Sequence, residues 1–459
     1  MTMVVTTDYA LSQVAPPRLP SAPDDYQQQY QDQLNNVLRL YFNQLNKILG
    51  QLVASSSTPI PVSIDGTNTD AFGRLRVSQP YTLFDSQNRY AADNQFDTST
   101  ATGGTTTYLG NEAAVQMSVT TSSGSEVVRQ SYRSMPYQPG KGLLVLATFV
   151  MNAAQTGLRQ RVGYFNTQNG VFFQQADSTK SFVLRSYISG AVSDVRTVPQ
   201  SSWNGDKLDG TGASGITLDA SKAQILWMDF EWLGVGSVRC GFIIDGTYIV
   251  CHTFNNANSI TSVYMTTAIL PVRYEITNTS ATAAASSMKQ ICCSVVSEAG
   301  FEESSADHVV RRTTALATIG TTFLPLISFR LNSSALGAVV LPNRIQVLPT
   351  TSQNYEVALV KNATLTGASW VSAPDDSNVQ YDITSSAVSG GTIVQTDYVT
   401  SSGSGGTRGL SAPSGYNWDL QLGASLAGVS DILTVQIRTV SGATTGDAVG
   451  SITYWDLTQ

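Results

Sequence analysis

The chain has 459 residues, 42% hydrophobic and only 13% charged, about half the usual charged share, with a formal charge of −7 and a pI near 4.9. This excludes a phosphate-tracking nucleic-acid surface, which needs clustered Lys and Arg, because Arg311-Arg312 is the one adjacent basic pair. No run approaches the roughly 20 apolar residues of a membrane helix, and the length suits two or three domains with cores of their own.

Residues 1–23 carry four of the sixteen prolines and read as an extended arm. Lacking a basic start and a sustained apolar core, the N-terminus is not expected to direct secretion, so folding in a cytoplasm is expected. Residues 24–53 read as an amphipathic helix with Asp24 or Asp25 as N-cap. Within it Leu34, Leu38, Tyr41, Leu45, Ile48 and Leu52 are spaced 4, 3, 4, 3, 4. That seam, flanked by Gln and Asn, either lies on the chain's own β-domain or joins copies in a short coiled coil. Residues 54–69 are small and Pro-containing and read as a linker.

Downstream the period changes to two. Short alternating or apolar runs recur between turn signals, and two β-sandwiches are expected, jelly-roll-like, at residues 70–298 and 299–459, the first lectin-like. The fold class is therefore mainly β behind one N-terminal helix. Asp245-Gly246 marks a type I′ hairpin whose register sets Ile244 against Thr247, Ile243 against Tyr248 and Cys240 against Cys251. Free thiols are expected at all four cysteines, since Cys292 and Cys293 are adjacent and the hairpin pair falls at the wider hydrogen-bonded spacing.

Candidate chemistry is sparse, and no catalytic residue, cofactor or metal is assigned. There are two histidines: His252 adjoins Cys251 on a strand whose side chains alternate faces, and His308 is expected to face solvent. The glycine-rich Gly210–Gly215 lacks the strand-to-helix setting of a nucleotide loop, and Asp206, Asp209 and Asp219 crowd one loop that could offer oxygen ligands. Trp227, Asp229 and Glu231 share one face of a strand, where an exposed Trp beside two acids would suit glycan stacking.

The segment DAFGRLRVSQPYTLFDSQNRY, residues 70–90, together with GSEVVRQSYRSMPYQPGKGLLV, LRQRVGYFNTQNGVFFQQ, FEWLGVGSVRCGFIIDGTYIVCHTFNNAN and TTAILPVRYEITNTS, resembles virion structural proteins of tailed phages infecting marine cyanobacteria. PLISFRL, TLTGASW and GVSDILTVQIRTV resemble a companion domain of the same family. The resemblance implies a structural, non-enzymatic subunit of a tail, neck or fiber appendage, assembled in the host cytoplasm. It binds other virion proteins and, by analogy with appendages, itself as a trimer. A capsid decoration protein and a host-glycan-binding module are the alternatives. On this reading Phe72, Leu75, Val77, Tyr81 and Phe84 lock the chain onto the first sandwich, and Arg74, Arg76 and Arg89 reach a neighbour. The expected interface is then the helix seam with Phe72, Arg74, Arg76, Tyr81 and Arg89.

Overall fold

A computed structural model describes residues 28–54, 69–70, 73–74, 79–302, 305–374, 377–400, 408–411, 420–440 and 444–458. The protein is mainly β, 52% strand and 6% helix. Its contacts divide the chain into two units, Met1–Asp65 and Gly66–Gln459.

In the first unit the described element is α1 (Gln28–Ala54), 27 residues with no acid in its first turn and no base in its last. Both expected N-caps, Asp24 and Asp25, lie outside the described residues. Leu34, Leu38, Tyr41 and Leu45 are half-buried along one stripe, while Leu40 and Phe42 are more than half exposed. The side chains of Ile48 and Leu52 lie outside the described residues.

In the second unit fifteen strands precede residue 298 among the described residues. They are β1 (Tyr81–Gln87), β2 (Phe96–Ala101), β3 (Thr105–Leu109), β4 (Ala114–Val119), β5 (Glu126–Ser131), β6 (Leu143–Val150), β7 (Leu158–Phe165), β8 (Gly170–Ala176), β9 (Thr179–Ser186), β10 (Ser193–Pro199), β11 (Gln224–Phe230), β12 (Val238–Ile244), β13 (Thr247–Phe254), β14 (Val272–Asn278) and β15 (Ser286–Ser297). One sheet runs β13-β12-β11-β6-β15-β4-β3, and the other β10-β9-β8-β7-β14-β5-β2. The long β15 takes β4 along Ser286–Gln290 and β1 along Cys292–Ser297, so β1 and β4 lie end to end on one side of it.

Apolar residues at alternate positions close the space between the two sheets. Phe149 meets Phe173 at 6.1 Å, Phe242 meets Phe173 edge-on at 5.2 Å, and Phe230 meets Tyr164 at 5.3 Å. Phe84 lies in this core against Phe96, and half-buried Tyr81 stacks on Phe301 at 5.7 Å. Phe72, Leu75, Arg76 and Val77 lie outside the described residues.

The hairpin of β12 and β13 turns at Asp245 and Gly246, both with positive φ (50° and 75°), as a type I′ turn requires. Ile244 faces Thr247 and Ile243 faces Tyr248, but between Gly241 and Cys240 the register slips by one. Cys240 therefore faces His252, and the expected Cys240–Cys251 opposition is corrected by a β-bulge that no local residue announces. All four cysteines are free thiols.

A second pair of sheets follows. One contains Asp307–Ile319, Gly446–Asp456, Val340–Pro349 and Arg408–Ser411. The other runs Val371–Ser372, Val379–Asp382, Leu324–Leu331, Ile432–Thr439, Asn354–Lys361 and Thr392–Thr400. Phe329, Tyr355, Val435, Ile452 and Tyr454 are among its core residues. Pro325 and Pro342 have no amide to give the ladder, and the register breaks just after each. The two sandwiches touch where Asp97 Oδ2 accepts the Leu426 amide at 2.6 Å and the Tyr132 carbonyl accepts the Ala424 amide at 3.0 Å.

Candidate binding surfaces

The strand alternation expected at Trp227 and Asp229 is present, with Leu226, Met228 and Phe230 in the core and those two on the opposite face, but β11 ends at Phe230 and Glu231 lies in the connection beyond it. That face is not open at its centre: Trp227 and Asp229 are 0% exposed. The indole N–H of Trp227 donates to Ile249 O at 3.3 Å and its ring meets Tyr248 edge-on. Opposite it stands Gly241, where any side chain would strike the indole and the Ile249 carbonyl. Asp229 faces Arg239 directly across the ladder and accepts from its Nε at 3.0 Å, while Arg239 also bonds the Thr69 carbonyl. Glu231 accepts from the Ser237 amide and hydroxyl at 3.3 and 3.0 Å. The exposed tryptophan expected for sugar stacking is thus corrected: a glycine across the strand pair makes room to bury it, and the acid beside it is held in an internal ion pair.

The remaining sequence candidates divide similarly. Arg74 spends its charge on buried Asp70, Nε to Oδ2 at 2.6 Å, while Arg89 is exposed. Asp206, Asp209 and Asp219 do not converge. Asp206 accepts the Leu208 and Ser214 amides, Asp209 that of Thr211 and Asp219 that of Ser221, so each closes its own turn. Among the described residues no three His, Cys, Asp or Glu side chains gather as a metal site would need. His252 is buried, its Nδ1 accepting the Asn204 amide at 3.4 Å, and burial with the charge of Arg196 pushes its pKa down to about 4. His308 is half-buried and stacked on Tyr454 at 5.5 Å rather than facing solvent, because the strand Asp307–Ile319 carries it.

The densest group of charges was not singled out in the sequence. On one face of the seven-stranded sheet, Arg159 and Arg161 of β7 and Arg273 of β14 pair with Glu275 of β14, while Arg161 and Arg185 of β9 reach Asp194 of β10. Phe165 and Phe172 lie beneath them, ring centroids 4.4 Å apart. Glu275 is 4% exposed and takes Arg159 at 3.0 Å, Arg161 at 3.3 Å and Arg273 at 3.0 Å. Arg185 grips Asp194 with two nitrogens, at 2.9 and 2.8 Å. The guanidinium groups of Arg161 and Arg185 lie 5.1 and 5.2 Å from the Phe172 ring centre. Burial lowers the Arg161 pKa to about 10 despite Glu275. Burial pushes the Glu275 carboxyl up, but Arg273, Arg161 and Arg159 outweigh it and hold the pKa below the usual value. Chemically this is a sheet face whose charges are matched by its own ion pairs. Its signal in the sequence was the two-residue spacing of Arg159 with Arg161 and of Arg273 with Glu275.

The other surface that sequence reasoning half-reached is the connection from β1 to β2. Arg89 and Tyr90 stand exposed at the rim of an open cavity of about 520 Å³ lined by Gln87 and residues 89–94.

No protein-family model matches the sequence, and no curated protein matches it. Among solved structures, the carbohydrate recognition domain of Emp47p is similar at 11% identity and TM-score 0.30, covering 48% of this chain and 98% of its own. A protein of unknown function from Shewanella oneidensis MR-1 is similar at 9% and 0.32, covering 50% and 91%. A β-1,3-glucanase from Mycobacterium marinum is similar at 11% and 0.31, covering 47% and 98%. No residue of this chain takes a role from them.

Proposed function

We propose that the chain is a structural subunit of a tailed-phage virion, part of a tail, neck or fiber appendage, that joins copies of itself through its N-terminal helix. The class comes from the sequence blocks that resemble cyanophage virion proteins; the mode of assembly rests on one observation. The helix α1, about 40 Å long at 1.5 Å per residue, carries a stripe of Leu34, Leu38, Tyr41 and Leu45 with exposed Leu40 and Phe42 beside it. Each such side chain gains about 1.5–3 kcal/mol when removed from water, so two or three copies of the helix have reason to pair along the stripe. Only Asp32, Arg39 and Lys47 are charged in the helix, so charge contributes little to choosing a partner. Three-fold symmetry is taken from the resemblance to appendages.

Light scattering on the purified chain tests the assembly, with a trimer mass expected. Leu38→Asp with Leu45→Asp should reduce that mass to a monomer and leave the urea midpoint of the β-sandwiches unchanged. A monomeric wild-type chain, or a mass unmoved by the two substitutions, refutes the helix as the joint. Copy number measured against the capsid protein in purified virions separates the alternatives: tens or fewer for an appendage, hundreds for a capsid decoration.

A further inference from the structure

The connection between β1 and β2 is held more firmly than an ordinary surface loop. At its start Gln87 faces Cys292, just where β15 bulges and shifts register between Gln290 and Cys293. Asn88, buried, donates to the Ile291 carbonyl at 2.9 Å and accepts the Asp93 amide at 2.9 Å. Asp93 accepts the Gln95 amide at 2.9 Å, the Gln95 amide group donates to the Asp85 carbonyl at 3.1 Å, and Tyr108 donates its hydroxyl to the Arg89 carbonyl at 2.8 Å. Five hydrogen bonds fix a loop whose one large apolar ring, Tyr90, is 83% exposed. The Arg89 guanidinium lies 4.9 Å from that ring's centre, so one face of the ring is backed and the other is open. A fixed loop that presents an aromatic ring to water gains nothing for the core by doing so; its fixity benefits whatever binds the ring, because less freedom is lost on association.

We propose that this loop binds a neutral saccharide ring, stacked on the open face of Tyr90 and hydrogen-bonded by the side-chain amides of Gln87 and Asn94. The cavity of about 520 Å³ falls within the roughly 300–1,000 Å³ typical of small-ligand sites. Ala91 and Ala92 line it with small side chains. An aromatic face suits the C–H side of a sugar, and an amide, with donor and acceptor side by side, suits paired hydroxyls. The ligand is neutral because Arg89 and Asp93 offset each other at the rim and the Asp93 carboxylate is already engaged by Gln95. This site is separate from the Trp227 face and independent of assembly through the helix.

Saturation-transfer NMR on the full chain tests it, using the methyl glycosides of glucose, galactose, mannose and N-acetylglucosamine as probes. The expected result is transfer to the ring C–H protons of at least one probe. Tyr90→Ala should cut that transfer about fivefold or more, Tyr90→Phe should keep it within about twofold, and Asn94→Ala should reduce it. Because the ring is exposed, none of these substitutions should move the urea midpoint. The proposal is overturned by a panel in which no probe receives saturation, by an undiminished signal in Tyr90→Ala, or by Tyr90→Ala changing the light-scattering mass. The last result would make the loop a contact between copies of the chain.

Discussion

Replacing Glu275 by Gln keeps the side chain's shape and removes one negative charge from beneath three arginines. In the native chain Arg159, Arg161 and Arg273 lie 3.0, 3.3 and 3.0 Å from its oxygens, and the nearest other acid, Asp194, is 3.7 Å from Arg161. The variant leaves these guanidinium groups largely out of water with half their counter-charge gone. Losing one partner of a buried pair costs about 3–5 kcal/mol; because Gln can still accept one hydrogen bond, the low end, about 3 kcal/mol, is expected. At roughly 2–4 °C per kcal/mol for a domain of this size, the melting point should fall by about 6–12 °C. The control is Glu112→Gln, which breaks the exposed pair with Lys289 and should cost about 0.5 kcal/mol or less. Urea unfolding of wild type, both single variants and Glu275→Gln with Arg161→Met measures the effect, and the double variant should recover part of the loss. The acid limb supplies a second readout. Because the folded-state pKa of Glu275 is depressed, its contribution is full above the unfolded value near 4.3 and is lost as pH falls through the lower folded value. Glu275→Gln should lack that portion of the acid limb. A variant within about 1 kcal/mol of wild type, or no worse than Glu112→Gln, refutes the claim that the ion cluster holds this face.

His252 has a folded-state pKa depressed from 6.5 to about 4, so it favours folding above pH 6.5 and that contribution is lost as pH falls towards 4. After allowance for solvent screening this is about 1–2 kcal/mol, and His252→Gln should flatten the pH dependence of the urea midpoint over that window. Asp97→Ala removes the acceptor of the Leu426 amide, and faster limited proteolysis between the sandwiches, near residues 299–306, is expected at an unchanged melting point of the first sandwich. Burial pushes up the thiols of Cys240, Cys251 and Cys293, so Ellman's reagent should react slowly with these in the native chain. It should count four thiols in denatured, unreduced protein; a count of two would expose a disulfide.

What the sequence determined by itself was local and periodic. The spacing from Leu34 to Leu45 makes a helix because 3.6-residue periodicity puts those side chains on one stripe, and Asp245-Gly246 makes a type I′ hairpin because both residues tolerate positive φ. The alternation through LRQRVGYF and QILWMDF makes strands and divides their faces, so even the partition of Trp227 from Met228 was readable. Whether a face is wet was not readable, because that depends on which strand lies beside it. Trp227 is buried because Gly241, fourteen residues on, becomes its cross-strand neighbour, and Asp229 is neutralised because Arg239 does. The bulge that sets Cys240 against His252 likewise belongs to the pairing of two strands, since one extra residue shifts the register while either strand alone reads as regular. The arginine cluster is the extreme case. β7, β9, β10 and β14 contribute charges more than a hundred residues apart, and only their order in one sheet brings three guanidinium groups onto Glu275. Periodicity acts within a few residues and so is written in the chain, whereas counter-charge and burial act across space and are fixed only when the sheets are assembled.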